Sequence, residues 1–188
     1  MDASGSIPDG GSAGRLRVRD ILEADDSVIG REVTVKGWVR TLRAQKSLAF
    51  VEINDGSCRL GLQAVCDESM DTFGVISDMS TGASVSVRGV IKESPGKGQK
   101  FEIKGTEIEL VGACEPDFPL QKKRHSLEFL RSIAHLRPRT NTIAAAARIR
   151  SVLAFATHEY FQKMGFFYLQ SPLITASDCE VSAFDNPP

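Results

Sequence analysis

The sequence predicts a mainly β fold: a five-stranded barrel, then a hinge, then one long helix followed by a strand. Three observations carry this. Between Val33 and Val111, apolar and polar residues alternate in successive short runs, the pattern of strands that face a core on one side only. Gly37 and Gly89 interrupt two of those runs, at places where a strand of a small barrel has to bend. From Thr142 to Met164 the apolar spacing changes to three and four residues, which belongs to an amphipathic helix.

In chain order, Met1 to Gly14 is rich in Gly, Ser and Asp and has no basic residue or apolar run, so a disordered leader is expected over residues 1–15. Leu16 to Leu22 reads as a short strand or a helical turn. Val33, Val35, Gly37 and Val39 form the inward face of the first long strand, with Gly37 as its bulge or bend, and Thr41 to Ser47 follows as a polar, basic loop. In the second strand Ala49, Val51 and Ile53 point inward, leaving Leu48, Phe50 and Glu52 on the other face. Asn54-Asp55-Gly56-Ser57 supplies turn chemistry, because Asp-Gly accepts the positive φ that tight turns require. The third strand then has Leu60, Leu62 and Ala64 inward with Arg59 and Gln63 outward. A short helix or loop is expected within Glu68 to Met79. Two more alternating runs follow, Ala83 to Glu93 and Phe101 to Val111, joined by a turn at Pro95 to Gly98. Five strands with a helical insertion between the third and fourth match the five-stranded Greek-key barrel known as the OB-fold; an SH3-like barrel is the alternative.

The barrel is expected over residues 16–115, and 116–140 is read as a hinge, since Pro116 and Pro119 resist continued helix or sheet. A short helical piece is expected near Leu127 to Ile133. The helix from Thr142 can be capped by Thr140 or Asn141, and Gly165 is a natural residue to end it. Phe166 to Gln170 reads as a strand stopped by Pro172.

Composition narrows the function. With 41% hydrophobic and 25% charged residues, and no apolar run of the ~18 residues a membrane helix needs, a soluble protein without a membrane partner is expected. The net charge of −1 conceals an uneven distribution. Lys36, Arg40, Arg43 and Lys46 lie close together, and Lys122, Lys123, Arg124, Arg131, Arg137, Arg139, Arg148 and Arg150 face only Glu128 in the segment that follows the barrel. Such local clusters suit phosphate even in a neutral chain, although each alone also fits a solvated face. The four cysteines show no CxxC spacing and form no ligand pattern with the three histidines, so no metal site is expected. Scattered cysteines and a leader unlike a transit peptide suit the cytoplasm.

One face of the second and third strands carries Phe50, Gln63 and Arg59, with Arg43 nearby. An outward aromatic beside an amide and cations is the makeup of a single-strand nucleic-acid surface. Phe50 could equally be a core residue of a tightly curved barrel, and Gln63 alone would be an ordinary solvated side chain.

Taken together, GWVRTLR, LAFVEINDGS and LQAV within Gly37 to Val65, LEFLR and AHLRPRTNT within Leu127 to Thr142, and FQKMGFFYLQSPLITASDCE at Phe161 to Glu180 resemble the asparaginyl-tRNA synthetases. These are class II aminoacyl-tRNA synthetases of the aspartate, asparagine and lysine subgroup. The aspartyl branch is similar too, but it usually has a longer basic run after Gly-Trp-Val, and the SDCE at Ser177 to Glu180 is asparaginyl-like.

The resemblance implies an anticodon-binding barrel in which Phe50 stacks on the middle anticodon base, a uridine, and Gln63 hydrogen-bonds it. Arg43, Glu102 and, on a looser match, Lys92 fall at further anticodon-contacting positions. It implies that residues 141–180 hold motif 1, the helix and strand of a homodimer interface ending at Pro172, with Leu153 and Tyr160 on the apolar stripe. Glu180 matches a position that contacts the amino acid's ammonium. ATP and magnesium serve the full-length enzymes, which attach asparagine to its tRNA. After Glu180 the family continues with a Gly-rich segment and several strands, whereas residues 181–188 here read VSAFDNPP. Motifs 2 and 3, with the arginines that hold ATP, do not occur in the 188 residues. A fragment, a truncated isoform or a gene model that leaves the frame is therefore expected, without catalysis of its own. The alternative is a noncatalytic tRNA-binding and dimerising module. Bacterial-type sequences of this family in eukaryotes often serve a plastid or mitochondrion, which keeps both open as compartments.

Overall fold

Five strands close on themselves in the order β1-β2-β3-β5-β4, the arrangement of an OB-fold barrel. They are β1 (Glu32–Ala44), β2 (Leu48–Asn54), β3 (Leu62–Asp67), β4 (Ser84–Glu93) and β5 (Phe101–Gly112). The computed structural model describes residues 14–96 and 98–174. Chain contacts divide it into one unit up to Ala144 and a second from Ala145.

Closure depends on β1, which serves two neighbours. Its first half pairs with β4 from Glu32 to Trp38, and its second half pairs with β2 from Trp38 to Ala44. The change of partner needs a bend, and the register shift between Val39 and Thr41 supplies it. The bulge therefore falls at Arg40 rather than at Gly37. Gly37 is required for a different reason: a Cβ there would lie 2.8 Å from the Asn54 carbonyl oxygen, so the two strands approach too closely for any side chain. Gly89 combines both roles, since β4 shifts register between Arg88 and Gly89 and a Cβ would meet the Lys104 carbonyl oxygen.

The alternation seen in the sequence is the barrel's inside and outside. Val33, Val35, Val39, Ala49, Val51, Ile53, Leu62, Ala64, Val85, Val87, Ile91, Phe101, Ile103 and Ile108 are all buried. Two connecting elements add to the same apolar cluster. Helix α1 (Val18–Leu22) contributes Val18 and Ile21, and the β3–β4 connection, with a 3-10 turn over Phe73–Asp78, contributes Met70, Ile76 and Met79. Asp55 in the β2–β3 turn ties α1 down by accepting from the Val18 amide at 3.0 Å. Gly56 in that turn has φ +82°, as its position after Asp55 requires.

Two expectations about the barrel change. The basic stretch from Thr41 is not a loop: β1 continues to Ala44, because Leu42 pairs with Val51 and Arg43 with Phe50. The third strand begins at Leu62, so Leu60 is 51% exposed in the preceding turn and Arg59 lies in that turn as well. Of the two readings open for Leu16 to Leu22, the helical one holds, over Val18–Leu22, and Arg15 bridges to Thr34 ahead of it.

Beyond the barrel, helix α2 (Leu127–Ser132) is capped by Ser126, whose hydroxyl accepts from the Phe129 amide, and only its Leu130 is buried. A 3-10 turn at Arg137–Arg139 leads into helix α3 (Asn141–Lys163). Its end is closed by Gly165 at φ +87° and by the Phe166 amide donating to the Phe161 carbonyl at 3.0 Å, a Schellman-type stop. Residues 166–170, expected as a strand, carry no strand pairing. A strand is defined by its ladder to a neighbour, and none lies beside this segment among the described residues. No helix of the described residues is long and apolar enough to cross a membrane.

Candidate nucleic-acid interface

The outer face of β1, β2, β3 and β5 collects the polar and aromatic side chains that the sequence sets opposite the core. Arg43 is the cross-strand partner of Phe50, and its guanidinium lies 5.4 Å from the centre of the Phe50 ring, within cation–π range. Phe50 is directed outward and is half-buried, because its neighbours Ala49 and Val51 occupy the interior.

Gln63 reaches this group by topology. On β3 it stands opposite Glu52 of β2 on one side and Glu102 of β5 on the other. The second contact depends on the parallel β3–β5 pairing that closes the barrel. Arg43 donates to Gln63 Oε1 at 3.2 Å, and Gln63 Nε2 donates to Glu102 Oε2 at 3.3 Å. Phe50, Arg43, Gln63 and Glu102 thus form one connected surface with a ring for stacking, an amide with spare donor and acceptor capacity, one cation and one acceptor-only carboxylate. Positive and negative charges balance within it. It therefore suits recognition of bases more than bulk attraction of phosphate.

Lys92 is the register partner of Glu102 on β4 and is exposed, which puts it at the rim of the same surface. Arg59 does not share it. Leu153 and Tyr160 lie on α3, each 60% exposed, and Pro172 follows in the segment after the helix. Glu180 lies outside the described residues. No group of three or more His, Cys, Asp or Glu side chains able to hold a metal ion occurs among the described residues.

Sequence reasoning missed two parts of this face. Ser94 and Gln99, from the β4–β5 turn, both donate to Glu102 Oε2, at 3.0 and 3.5 Å. Only their place beside a Pro-Gly turn was visible in the sequence. The second part lies along β1. Arg40 Nη1 donates to the Arg139 carbonyl at 2.5 Å, Arg40 Nη2 donates to Asn141 Oδ1 at 3.0 Å, and the Arg139 guanidinium lies 5.0 Å from the Trp38 ring centre. The basic run within Gly37 to Arg43 thus divides in two: Arg43 joins the surface around Phe50, and Arg40 hydrogen-bonds Arg139 and Asn141.

Comparison with known proteins places this surface in context. Residues 33–111 match the family model described as an OB-fold nucleic acid binding domain. The chain is 50% identical over 163 residues to an asparagine–tRNA ligase of Desulfitobacterium hafniense, covering 87% of this chain and 35% of that protein. It is 54% identical over 156 residues to that of Protochlamydia amoebophila, covering 82% and 33%. It thus spans about a third of the length of the curated relatives it matches. The asparaginyl-tRNA synthetase of Pyrococcus horikoshii has a similar fold, with a TM-score of 0.74 at 23% identity over 85% of this chain and 38% of that one.

Proposed function

We propose that the chain, which over most of its own length is 50–54% identical to asparagine–tRNA ligases, is a part of such a ligase and that its barrel binds the anticodon loop of an asparagine-accepting tRNA. The observation that carries this reading is the convergence of Phe50, Arg43, Gln63 and Glu102 on one outer face of a nucleic-acid-binding barrel. The middle anticodon base, a uridine, stacks on Phe50, and the Gln63 amide bonds its edge. Arg43 and Glu102 contact the neighbouring bases or backbone, and Lys92 adds charge at the rim.

The whole-protein activity proposed is the ATP-dependent attachment of asparagine to that tRNA, with magnesium at the triphosphate. The chain spans about a third of the length of its curated relatives, and these 188 residues are assigned the recognition of RNA, with adenylate formation proposed for the whole protein only. The apolar face of α3, with Leu153, Tyr160 and the following Pro172, is assigned to packing against a second subunit.

The test is binding of an anticodon stem–loop RNA, measured beside ATP–pyrophosphate exchange. Phe50→Ala should weaken binding by about 1–3 kcal/mol, the worth of one stacked base. Unchanged affinity would remove Phe50 from the site, and exchange above background would show that the 188 residues activate asparagine unaided.

A further inference from the structure

Glu102 accepts more side-chain hydrogen bonds than its neighbours on the RNA face, and two of its three donors come from outside the strands that build it. Its Oε2 atom accepts from Gln63 Nε2 at 3.3 Å, Ser94 Oγ at 3.0 Å and Gln99 Nε2 at 3.5 Å. Gln99 Nε2 also donates to Ser94 Oγ at 2.7 Å, and the Ser94 hydroxyl accepts from the Gly96 amide at 3.2 Å. All three bonds to the carboxylate fall on one oxygen. Oε1 is left as its vacant acceptor among the described residues.

The same network settles which way the Gln63 amide faces. Its oxygen accepts from Arg43 and its nitrogen donates to Glu102. Turned over, the amide would set its NH2 against a guanidinium, donor facing donor, and its carbonyl against a carboxylate, acceptor facing acceptor, and neither contact is a hydrogen bond. Glu102 therefore fixes the donor and acceptor order that Gln63 presents, and the β4–β5 turn fixes Glu102.

We propose that Gln99, acting with Ser94, is a positioning residue for base discrimination: it holds Glu102 so that Oε1 accepts a nucleobase N–H and Gln63 keeps one amide orientation. This rests on the reading of the face as an anticodon site. A carboxylate only accepts, so the position it faces favours a base edge that offers N–H or NH2. A base that offers only lone pairs there is penalised. Without Gln99 and Ser94 the carboxylate is free to rotate, and the penalty falls.

The experiment uses the full 188-residue chain and a stem–loop RNA bearing an asparagine anticodon, together with three variants in which one anticodon base is replaced. Wild type, Gln99→Ala, Gln99→Glu, Ser94→Ala and Phe50→Ala are compared, with thermal midpoints checking that each is folded. Gln99→Ala should leave affinity for the unaltered RNA within about threefold. It should shrink the preference at one anticodon position by about tenfold, the worth of one hydrogen bond. Gln99→Glu, which sets a second carboxylate beside Glu102, should do at least as much, and Ser94→Ala somewhat less. A purely structural role would lower the midpoint and weaken all four RNAs alike, and that result overturns the proposal. If wild type discriminates, Phe50→Ala weakens every RNA and both Gln99 variants discriminate as wild type does, this inference alone fails. If wild type does not distinguish the RNAs, the anticodon reading fails and takes this inference with it.

Discussion

The barrel and helix α3 solve the same problem, burial of an apolar face, with opposite outcomes. In the barrel the inward residues of all five strands reach near-complete burial, because a closed sheet encloses its own inner face and leaves no edge. In α3 the stripe of Ile149, Val152, Leu153 and Tyr160 is about 60% exposed or more, and no residue of the helix is buried. A helix cannot fold its stripe onto itself. The ring contacts of this unit, His158 with Tyr168, Tyr160 with Phe161 and Phe161 with Phe166, are local and cover little. Alternation over several strands can thus specify a finished core, whereas a helical stripe by itself cannot.

The largest test of that contrast is Phe101→Ala. Phe101 is 1% exposed and among the bulkiest buried side chains of the barrel, so its removal should cost about 3–5 kcal/mol in denaturant unfolding. A loss below about 1 kcal/mol would mean that the barrel is not a close-packed unit.

Cys66 gives a test by pH. Burial, helped by the nearby charge of Asp67, pushes its thiol up to about 11 from an ordinary 9.0. A raised folded value means that the contribution to stability is complete below the unfolded value and disappears as pH rises through the folded one. Between about pH 9 and pH 11 the unfolded chain ionises first, and stability should fall by about 2 kcal/mol. Cys66→Ala should flatten that limb of the profile, and an unchanged slope would assign the loss to other groups.

The smallest effect belongs to the helix. Leu153→Ser with Tyr160→Ser should shift barrel unfolding by no more than ~0.5 kcal/mol, as surface substitutions do. The same pair should weaken self-association in sedimentation if α3 packs against a second copy. A barrel loss as large as that of Phe101→Ala would erase the distinction between the two regions.

The strands were legible because period-two alternation is a local signal, and it gave the inner face of each strand together with the outward turn of Phe50. The full length of β1 was not legible. Its bulge at Arg40 shifts the alternation by one residue, so the basic continuation reads as loop. Residues 166–170 read as strand because propensity sees the side chains and not the missing neighbour. At the site, Phe50 and Gln63 came from alternation and family resemblance. The link from Gln63 to Glu102 comes from a parallel pairing between residues 39 apart in sequence, which no local pattern encodes. Ser94 and Gln99 were invisible for the same reason, since a turn residue announces the turn and not what its side chain will reach.

The contacts that β1 makes through Trp38 and Arg40 also give the molecule an optical property. Trp38 is the sole tryptophan of the chain, it is 43% exposed, and the Arg139 guanidinium rests over its ring. Unseating Arg139 and Asn141 from the barrel would change both the charge above the indole and its contact with water. The emission of the unlabelled protein is therefore a spectroscopic gauge of whether these contacts are made, readable without any added probe.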